Sequence, residues 1–353
     1  MNHESSHTKR ALVIRAGRLG DTVWGTTAFE PVQALLGKDT LIDIIIKKGM
    51  RVLFEHDPRI GTIFEIDHRA VPLLFCKTKR AVLLKSMKMP YDMAINLETS
   101  SHFNSLMWFL RASQKITAAP LPLEYKLGKQ HYVDYLRYTL AQGIPAALCQ
   151  NAEPSLRPPN HIDIPALIGT SQEYICLHPG NSLLAQGKPA LRSWPESHWR
   201  ELVNLLAIQY PEMRIVLIGE KSERTLSEAV AAQHPNVINL AGKTSLQQLM
   251  AVLANSRTLI TTDTGPAHVA AALSTPVISI FGPSNPLNTR PFASKNGWAV
   301  AITKSIECNP CVRTEAFNQC KDNRCMQMTT PADVLRILED ALLKRPVQPV
   351  IYE

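Results

Sequence analysis

A short turn between an apolar strand and a helix of small residues has the composition of an anion-binding site. The turn reads Asp263-Thr264-Gly265-Pro266 and leads into a helix rich in alanine. Proline suits a first helical turn, where its missing N–H costs nothing, and the Thr264 hydroxyl is placed to cap the helix. The free amides at such a start, together with the helix dipole, favour a phosphate group. His268 returns to the same face one turn later and is a candidate phosphate or sugar contact.

A second turn of the same physical type follows the apolar run 174–178. It reads His178-Pro-Gly180-Asn181-Ser182 and is followed by two cations, Lys188 and Arg192. Either cation could offset the negative charge of a bound phosphate, but the planar fork of arginine and the point charge of lysine are not equivalent. The aromatic residues Trp194 and Trp199 suit packing at a helix start better than ligand binding.

A carboxylate stands at the end of the first predicted strand, in Gly17-Arg18-Leu19-Gly20-Asp21. The spacing is not the G-x-G-x-x-G pattern of dinucleotide-binding proteins, which argues against a dehydrogenase. Asp21 sits where the next helix begins, and from these residues alone it fits an ordinary helix N-cap residue.

Two further groups of polar residues follow strands in the second half of the chain. Glu223 comes after the run 214–218, where a carboxylate often binds ribose hydroxyls. Glu220 is the alternative candidate for this role. Both residues also fit ordinary first-turn acids of the next helix. Lys243 and Thr244 mark another helix start near the same strand ends.

Strand and helix patterns alternate along the chain, twice over. In the first half, strands are predicted at 11–16, 41–46, 62–66, 93–97 and 115–118, and helices at 22–36, 49–56, 77–88, 102–110 and 131–142. A Pro-rich stretch at 153–160 reads as a linker. In the second half, strands are predicted at 174–178, 214–218, 237–240, 259–262 and 276–281, and helices at 195–209, 223–233, 245–255 and 331–344.

This alternation predicts an α/β fold with parallel sheets covered by helices. We expect two Rossmann-like domains, residues 1–160 and 161–353, with their sheets facing a central cleft as in the GT-B architecture. The sequence leaves open whether the last helix, 331–344, packs back on the N-terminal domain.

The net charge of +8 is concentrated in the first half of the chain. Between His68 and Tyr91 there is no acid, while Lys77, Lys79 and Arg80 are part of a basic run. Such a run attracts nucleic acid, acidic lipid or a phosphorylated glycan, and it also fits a solvated helix face. No apolar run approaches the ~18 residues needed to span a bilayer, and no signal peptide is evident. We therefore expect a cytoplasmic protein.

The chemistry-bearing segments together resemble glycosyltransferase family 9, the heptosyltransferases of the lipopolysaccharide core. The resemblance is carried by Leu19-Gly20-Asp21-Thr22-Val23, by Trp194-Pro-x-x-His-Trp199 and by Asp263-Thr-Gly-Pro-Ala-His268. It implies that Asp21 is the general base, that Glu223 binds ribose and that Lys243 and Thr244 line the base pocket. The family typically has lysine two residues before the Trp-Pro pair, where this chain has Arg192. That lysine offsets the charge that builds on the leaving diphosphate, and here either Arg192 or Lys188 would take its role.

The resemblance also implies an inverting transfer of heptose from ADP-heptose to a phosphorylated lipid A–inner core acceptor. His178, Gly180, Asn181, Ser182 and the 263–268 turn would hold the donor. The acceptor would be met by residues of the first domain: Arg18, Gly20, Lys77, Lys79 and Arg80. No nucleic-acid partner is expected, and peripheral contact at the inner membrane face remains open. Two alternatives remain: a family member that uses another nucleotide sugar, and a non-catalytic nucleotide- or glycan-binding protein.

No Asp-x-Asp sequence occurs, so neither a metal-bridged diphosphate nor a cofactor is predicted. Seven cysteines without an export signal indicate reduced thiols. Cys76, Cys149 and Cys176 read as isolated core residues. The other four are clustered in sequence: Cys308, Cys311, Cys320 and Cys325. This cluster fits either a structural loop or a metal-binding site, and the sequence does not decide between them.

Overall fold

The computed structural model describes residues 8–181, 191–312, 314–344 and 350–352. Ser182 and Lys188, two of the predicted site residues, lie outside the described residues. The chain divides into two compact units, residues 1–157 and 158–353.

The first unit contains a five-stranded parallel sheet with the strand order β3-β2-β1-β4-β5. Its strands are β1 (Arg10–Ile14), β2 (Leu41–Lys47), β3 (Ile60–Ile66), β4 (Tyr91–Asn96) and β5 (Ala112–Thr117). Its helices are α1 (Leu19–Gly25), α2 (Phe29–Leu36), α3 (Lys77–Lys88), α4 (Asn104–Phe109), α5 (Leu123–Lys126), α6 (Tyr132–Leu140) and α7 (Ala146–Cys149).

The second unit contains a seven-stranded parallel sheet with the strand order β12-β11-β10-β9-β6-β7-β8. Its strands are β6 (Tyr174–His178), β7 (Arg214–Leu217), β8 (Val237–Asn239), β9 (Leu259–Thr262), β10 (Val277–Ile280), β11 (Ala299–Ile302) and β12 (Val350–Tyr352). Its helices are α8 (Ile164–Ile168), α9 (Glu196–Gln209), α10 (Arg224–Ala231), α11 (Leu246–Ala254), α12 (Gly265–Ala272), α13 (Pro286–Thr289), α14 (Glu315–Gln319), α15 (Arg324–Gln327) and α16 (Pro331–Lys344).

The central strands of both sheets are buried along their whole length, which explains their near-continuous Val, Ile and Leu content. In each sheet the strand order reverses beside the first strand of the unit. In the first unit this point lies between β1 and β4, and in the second it lies between β6 and β9. Ligands of open α/β sheets bind outside the carboxyl ends of the strands at such points.

The predicted α/β class with two parallel Rossmann-like sheets is confirmed. The helix expected at 49–56 is wrong, because the chain forms only a short 3₁₀ turn at Arg51–Leu53 after Gly49, whose φ is +89°. The last helix, α16, buries Val334, Ile337 and Leu338 in the core of the second unit, against α9.

Three of the cysteines are buried core residues as predicted: Cys76, Cys149 and Cys176. Trp194 and Trp199 are buried in the core of the second unit, with ring centroids 4.9 Å apart in an edge-to-face arrangement, so their predicted packing role is confirmed. None of the helices that the structure describes is long and apolar enough to cross a bilayer.

Candidate functional site

The predicted anion-binding turn lies at the carboxyl end of β9, next to the end of β6. Helix α12 begins at Gly265, with Thr264 as its N-cap residue and Pro266 in its first turn. The Thr264 hydroxyl lies 3.0 Å from Thr261 Oγ1 and 3.2 Å from His178 Nδ1, and within the described chain it makes no capping hydrogen bond to α12. The expectation that this hydroxyl caps the helix is therefore wrong. The first amides of α12 lack a side-chain cap there, which is the property that anion binding requires.

His178 joins this turn to the acidic residue after β7. Its Nδ1 lies 3.2 Å from the hydroxyls of Thr261 and Thr264, and its Nε2 lies 3.2 Å from Glu223 Oε2. The same carboxylate oxygen of Glu223 accepts the backbone N–H of Glu220 at 2.7 Å. Burial would raise the pKa of Glu223, but the contacts with His178 and the Glu220 N–H lower it overall, so the carboxylate is charged.

The buried state of Glu223 changes its expected role. Its side chain is enclosed and completes the cap of the 3₁₀ turn at Lys221–Glu223, whereas Glu220 is exposed on the same turn. A ribose needs a carboxylate that it can reach from solvent. Of the two candidates, Glu220 therefore has the more accessible carboxylate, and Glu223 orients His178.

Gly180 is a glycine because Glu223 occupies the space beside it. A Cβ at position 180 would lie 2.3 Å from the Glu223 carboxyl carbon, much closer than a real contact allows. We expect Gly180→Ala to lower the free energy of unfolding of the second unit by about 1–3 kcal/mol, as overpacking does. Denaturant unfolding followed by Trp emission measures this loss.

A double-mutant cycle identifies the cause of that loss. In a Glu223→Ala background the obstructing carboxylate is gone, so adding Gly180→Ala should cost clearly less than it does in the wild-type chain. An equal cost in both backgrounds would show that Glu223 is not what requires glycine at position 180.

Arg192 lies beside the same turn. Its Nη1 donates to Asp263 Oδ2 at 3.2 Å, and both side chains are only partly exposed. Its Nε is buried and has no hydrogen-bond partner among the described residues. A guanidinium with a spare donor beside an uncapped helix start suits an oxyanion ligand.

The residues next to Arg192 are held on both sides. Asn181 Nδ2 donates to Ser193 Oγ at 2.6 Å, and Trp194 Nε1 donates to the Thr329 carbonyl at 2.8 Å. Asn181 is itself buried, so the contact that the structure gives it positions the Arg192 segment. Asn323 Nδ2 donates to the Ser193 carbonyl at 2.7 Å and braces the segment from the cysteine-rich region.

The remaining donor-side candidates flank this group. Lys243 is exposed, its Nζ lies 2.8 Å from the Asn239 carbonyl, and Thr244 is half-buried in the turn before α11. Gly242 N donates to the Gly219 carbonyl, which places this turn directly beside the turn that carries Glu220. His268 is buried in α12, one turn after Thr264.

In the first unit, Asp21 lies after β1 at the point where the strand order reverses. It is the third residue of α1 and not its N-cap, and its Oδ2 accepts the backbone N–H of the cap residue Arg18 at 3.0 Å. Its Oδ1 accepts a short hydrogen bond from Arg15 Nη2, and about a third of its side chain is exposed. Gly17 lets this side chain fit, since a Cβ there would lie 2.4 Å from Asp21 Cβ. Gly20 is half-buried in the same first turn.

A buried carboxylate that the sequence did not reveal completes this group. Glu98 follows β4; its Oε1 accepts the Ala16 N–H at 2.9 Å and lies 3.7 Å from Arg15 Nη1, and its Oε2 accepts from Arg69 Nη1 at 2.7 Å. Burial alone would lower the pKa of Arg15, but the nearby Tyr132, Asp21 and Glu98 raise it above its usual value. Arg69, Glu98, Arg15 and Asp21 therefore form a row of alternating charges.

The basic run does not act as a single surface. Lys79, predicted to meet the acceptor, is fully buried, and its ammonium donates to the carbonyls of Arg69, Val71 and His102, each at 2.7 Å. Its prediction as a binding residue is wrong in this structure, because position 79 falls on the core face of α3. Lys77 and Arg80 lie on the exposed face of the same helix.

The four clustered cysteines line one cavity of about 370 Å³ in the second unit: Cys308, Cys311, Cys320 and Cys325. Burial and the neighbouring thiols raise the pKa of Cys325 to about 11 and also raise that of Cys311. Among the described residues, no group of three or more His, Cys, Asp or Glu side chains is arranged to hold a metal ion.

Comparisons with known proteins agree with the motifs. A sequence profile of glycosyltransferase family 9 (heptosyltransferase) matches residues 142–321, just over half of the chain. Lipooligosaccharide heptosyltransferase 2 of Haemophilus influenzae is 33% identical over 116 residues, which are 31% of this chain and 33% of that protein. The matched segments of the first curated relatives span about a third of their own length. Lipooligosaccharide heptosyltransferase 2 of Haemophilus ducreyi is 24% identical over 314 residues, 81% of this chain and 87% of that protein.

The solved structure of Escherichia coli ADP-heptose lipopolysaccharide heptosyltransferase II has a TM-score of 0.69 to this chain. It is 20% identical, and the alignment covers 96% of this chain and 99% of that one. At this identity the likeness shows that the two proteins share a fold, the GT-B type with two Rossmann-like domains. With the profile match over half of its length, the chain belongs to glycosyltransferase family 9.

Proposed function

We propose that this protein is an inverting glycosyltransferase that moves a heptose from ADP-heptose to an inner-core lipopolysaccharide acceptor. The observation that carries the proposal is the start of α12, which has no side-chain cap within the described chain and lies beside Arg192. Such a site suits a diphosphate. The name of the Escherichia coli neighbour and the heptosyltransferase relatives support ADP-heptose as the donor.

The chemistry on the acceptor side is assigned to Asp21. An acceptor hydroxyl attacks the anomeric carbon of the sugar, the bond from that carbon to the diphosphate oxygen breaks, and Asp21 takes the hydroxyl proton. One displacement inverts the anomeric configuration. Arg15 and the Arg18 N–H hold the two carboxylate oxygens in place, which orients Asp21 before the substrate arrives.

The chemistry on the donor side is assigned to the second unit. As the sugar–oxygen bond breaks, the leaving ADP gains negative charge, which the amides of α12 and the guanidinium of Arg192 stabilise. Asp263 holds Arg192 in position, while His178 and Thr264 hold the turn. Lys243, Thr244 and Glu220 flank the strand ends where the nucleoside would lie. This assignment needs no metal ion, so EDTA should leave the rate unchanged.

The acceptor would be the phosphorylated lipid A–inner core glycan, met by Arg18, Lys77 and Arg80 on the first unit. Such an acceptor is a membrane lipid. We therefore include a cytoplasmic location with peripheral contact at the inner face of the cytoplasmic membrane in the proposal.

Glu98 acts in this mechanism as a positioning residue. Replacing it with Gln removes the charge that Arg15 and Arg69 share, so the hold of Arg15 on Asp21 should loosen. We expect kcat to fall about tenfold, with the KM for the donor unchanged. Steady-state kinetics tests this, with Glu65→Gln as the matched control, because Glu65 pairs with Arg51 elsewhere in the same unit. A lower melting temperature with an unchanged kcat would assign Glu98 a purely structural role.

A thermal-shift panel of nucleotide sugars tests the donor. ADP-heptose and ADP should both raise the melting temperature, because they bind only the folded chain. Stabilisation by a UDP or GDP sugar alone would overturn the heptose assignment and favour a family member with another donor. If ADP-heptose binds but no transfer to the acceptor occurs, the protein is a binding member of the family.

A further inference from the structure

The first unit carries a concentration of exposed apolar side chains that its core does not use. Among the described residues, seven of the fifteen exposed large hydrophobic side chains lie between positions 74 and 109. Trp108 is 81% exposed and Phe75 is 78% exposed, values unusual for large aromatic residues. Single exposed apolar residues are common, but a contiguous group marks an interaction site.

Helix α3 supplies the centre of this group. Positions 77, 80, 84, 87 and 88 follow helical spacing and share one face, which is exposed, while Lys79, Val82 and Ser86 are buried on the opposite face. The exposed face therefore combines three cations with two large apolar side chains and contains no acid.

Hydrogen bonds hold neighbouring segments of the chain against both ends of α3. Buried Lys79 ties the segment before α3 to the turn before α4 through the carbonyls of Arg69, Val71 and His102. At the other end, Arg111 N donates to Ser86 Oγ and its Nη1 lies 3.4 Å from the Met87 carbonyl. The exposed apolar side chains of the segment before α3, of α3 itself and of α4 are thus held in one part of the unit. We name them the docking surface: Leu74, Phe75, Leu84, Met87, Trp108 and Phe109.

The charge around the docking surface is uncompensated. Lys77, Arg80 and Lys88 form no ion pair with the residues that the structure describes, and the nearby carboxylates are already engaged. Asp67 pairs with Lys48, Asp92 pairs with Lys9, and the buried Glu98 pairs with Arg69. The net field over the docking surface is therefore positive.

We propose that the docking surface binds an anionic phospholipid bilayer. Exposed Trp and Phe side chains suit the boundary between lipid headgroups and acyl chains, and Lys and Arg beside them attract acidic headgroups. A second copy of the chain fits less well, because a symmetric contact would place Arg80 and Lys88 close to their like charges. A protein partner also fits less well, since the centres of protein interfaces are poor in lysine.

Docking through this surface would bring the enzyme to the membrane that carries its proposed lipid acceptor. The identity of that membrane rests on the proposed function, whereas binding to an anionic bilayer does not. The docking segment also contains Arg69, whose guanidinium contacts Glu98 in the row of charges that ends at Asp21. Leu74 and Phe75 therefore follow Arg69, the residue at the other end of this row, within the same docking segment.

Vesicle binding tests the proposal without any donor or acceptor. Full-length protein is mixed with vesicles of equal phosphatidylglycerol and phosphatidylethanolamine, or with phosphatidylcholine alone, and sedimented. We expect binding to the anionic vesicles that weakens in 0.5 M salt, with at least tenfold less binding to the neutral ones. Trp108 provides an internal probe, because the other four tryptophans are buried, so its emission should shift to the blue on binding.

Two variants and two controls decide the outcome. Arg80→Glu/Lys88→Glu and Phe75→Ser/Phe109→Ser should each lower binding at least tenfold with an unchanged melting temperature. Lys38→Glu/Arg200→Glu and Ile208→Ser change exposed residues elsewhere and should bind as the wild type does. Failure of the wild type to bind, wild-type binding by both variants, or a stable dimer in which Trp108 is protected would overturn the proposal. None of these results would affect donor binding, so they are distinct from failure of the proposed function.

Discussion

Replacing Asp21 with Asn is expected to lower kcat about 100-fold or more while leaving the affinity for ADP-heptose unchanged. The amide keeps the size of the side chain but cannot take a proton from the acceptor hydroxyl. The donor should bind as before, because the residues that we propose to bind it belong to the second unit. Single-turnover rates and thermal shifts with ADP-heptose measure the two effects separately.

The alternative role of Asp21 is structural, since its carboxylate closes a capping box at the start of α1. Asp333 provides a matched control, because it accepts the N–H and hydroxyl of Thr330 at the start of α16 in the same manner. Asp333→Asn should lower the melting temperature slightly and leave kcat unchanged. If Asp21→Asn behaves in the same way, Asp21 is a helix cap and not a base.

The second large effect is expected at Arg192. Removing the guanidinium by Arg192→Ala should lower kcat about 100-fold, because charge that develops on the leaving ADP would lose a fixed cation. Arg192→Lys should recover part of the rate, since it restores a charge without the planar fork. Steady-state kinetics with all three chains gives the order wild type, Lys, Ala.

The control for Arg192 is another arginine paired with a carboxylate in the same unit. Arg224 pairs with Glu228 on the surface of α10, so Arg224→Ala should change kcat less than twofold. An unchanged kcat for Arg192→Ala would instead assign the leaving-group charge to Lys188.

The fold followed from the sequence because its strands are buried on both faces and its helices are periodic. The predicted bounds of α3 and α16 coincide with the observed ones. The helix at 49–56 failed because the apolar residues there pack in a 3₁₀ turn after a left-handed glycine, a conformation that periodicity does not report. Strand β11, which lies between β10 and β12, carries an apolar run, Ala299–Ile302, that is short enough to be overlooked.

Contacts between residues close in sequence could be predicted in the candidate site, whereas contacts between distant segments could not. Thr264 shows both cases. Its position as the N-cap residue of α12 was predicted, but its hydroxyl contacts Thr261 on β9 and His178 on the neighbouring strand β6 instead of the helix. Glu98 illustrates the second. It contacts Arg15 across more than 80 residues, and only the pairing of Ile14 with Asn96 in the sheet brings them together. Polar residues just after neighbouring strands are therefore the signal that could have identified Glu98.

Burial decided the remaining differences. Lys79 and Glu223 have the residue types of ligand contacts, but the structure encloses both, one among carbonyls and the other beside His178 and Gly180. Helical spacing distinguishes Lys79 from Lys77 and Arg80, because position 79 shares a face with apolar Val82. For Glu223, the neighbouring Gly180 that makes room for it is 43 residues away in sequence, so no local pattern reports the contact.

The most direct test of the proposed function is a transfer assay that follows both products. Purified wild-type protein is incubated with ADP-heptose and, in parallel reactions, with inner-core acceptors that carry no heptose or one heptose, and ADP and the glycan are quantified together. The proposal predicts equal amounts of ADP and heptosylated acceptor, with the new linkage inverted relative to the donor. Release of ADP without a new linkage, retention of the anomeric configuration, or no reaction with this donor would contradict it.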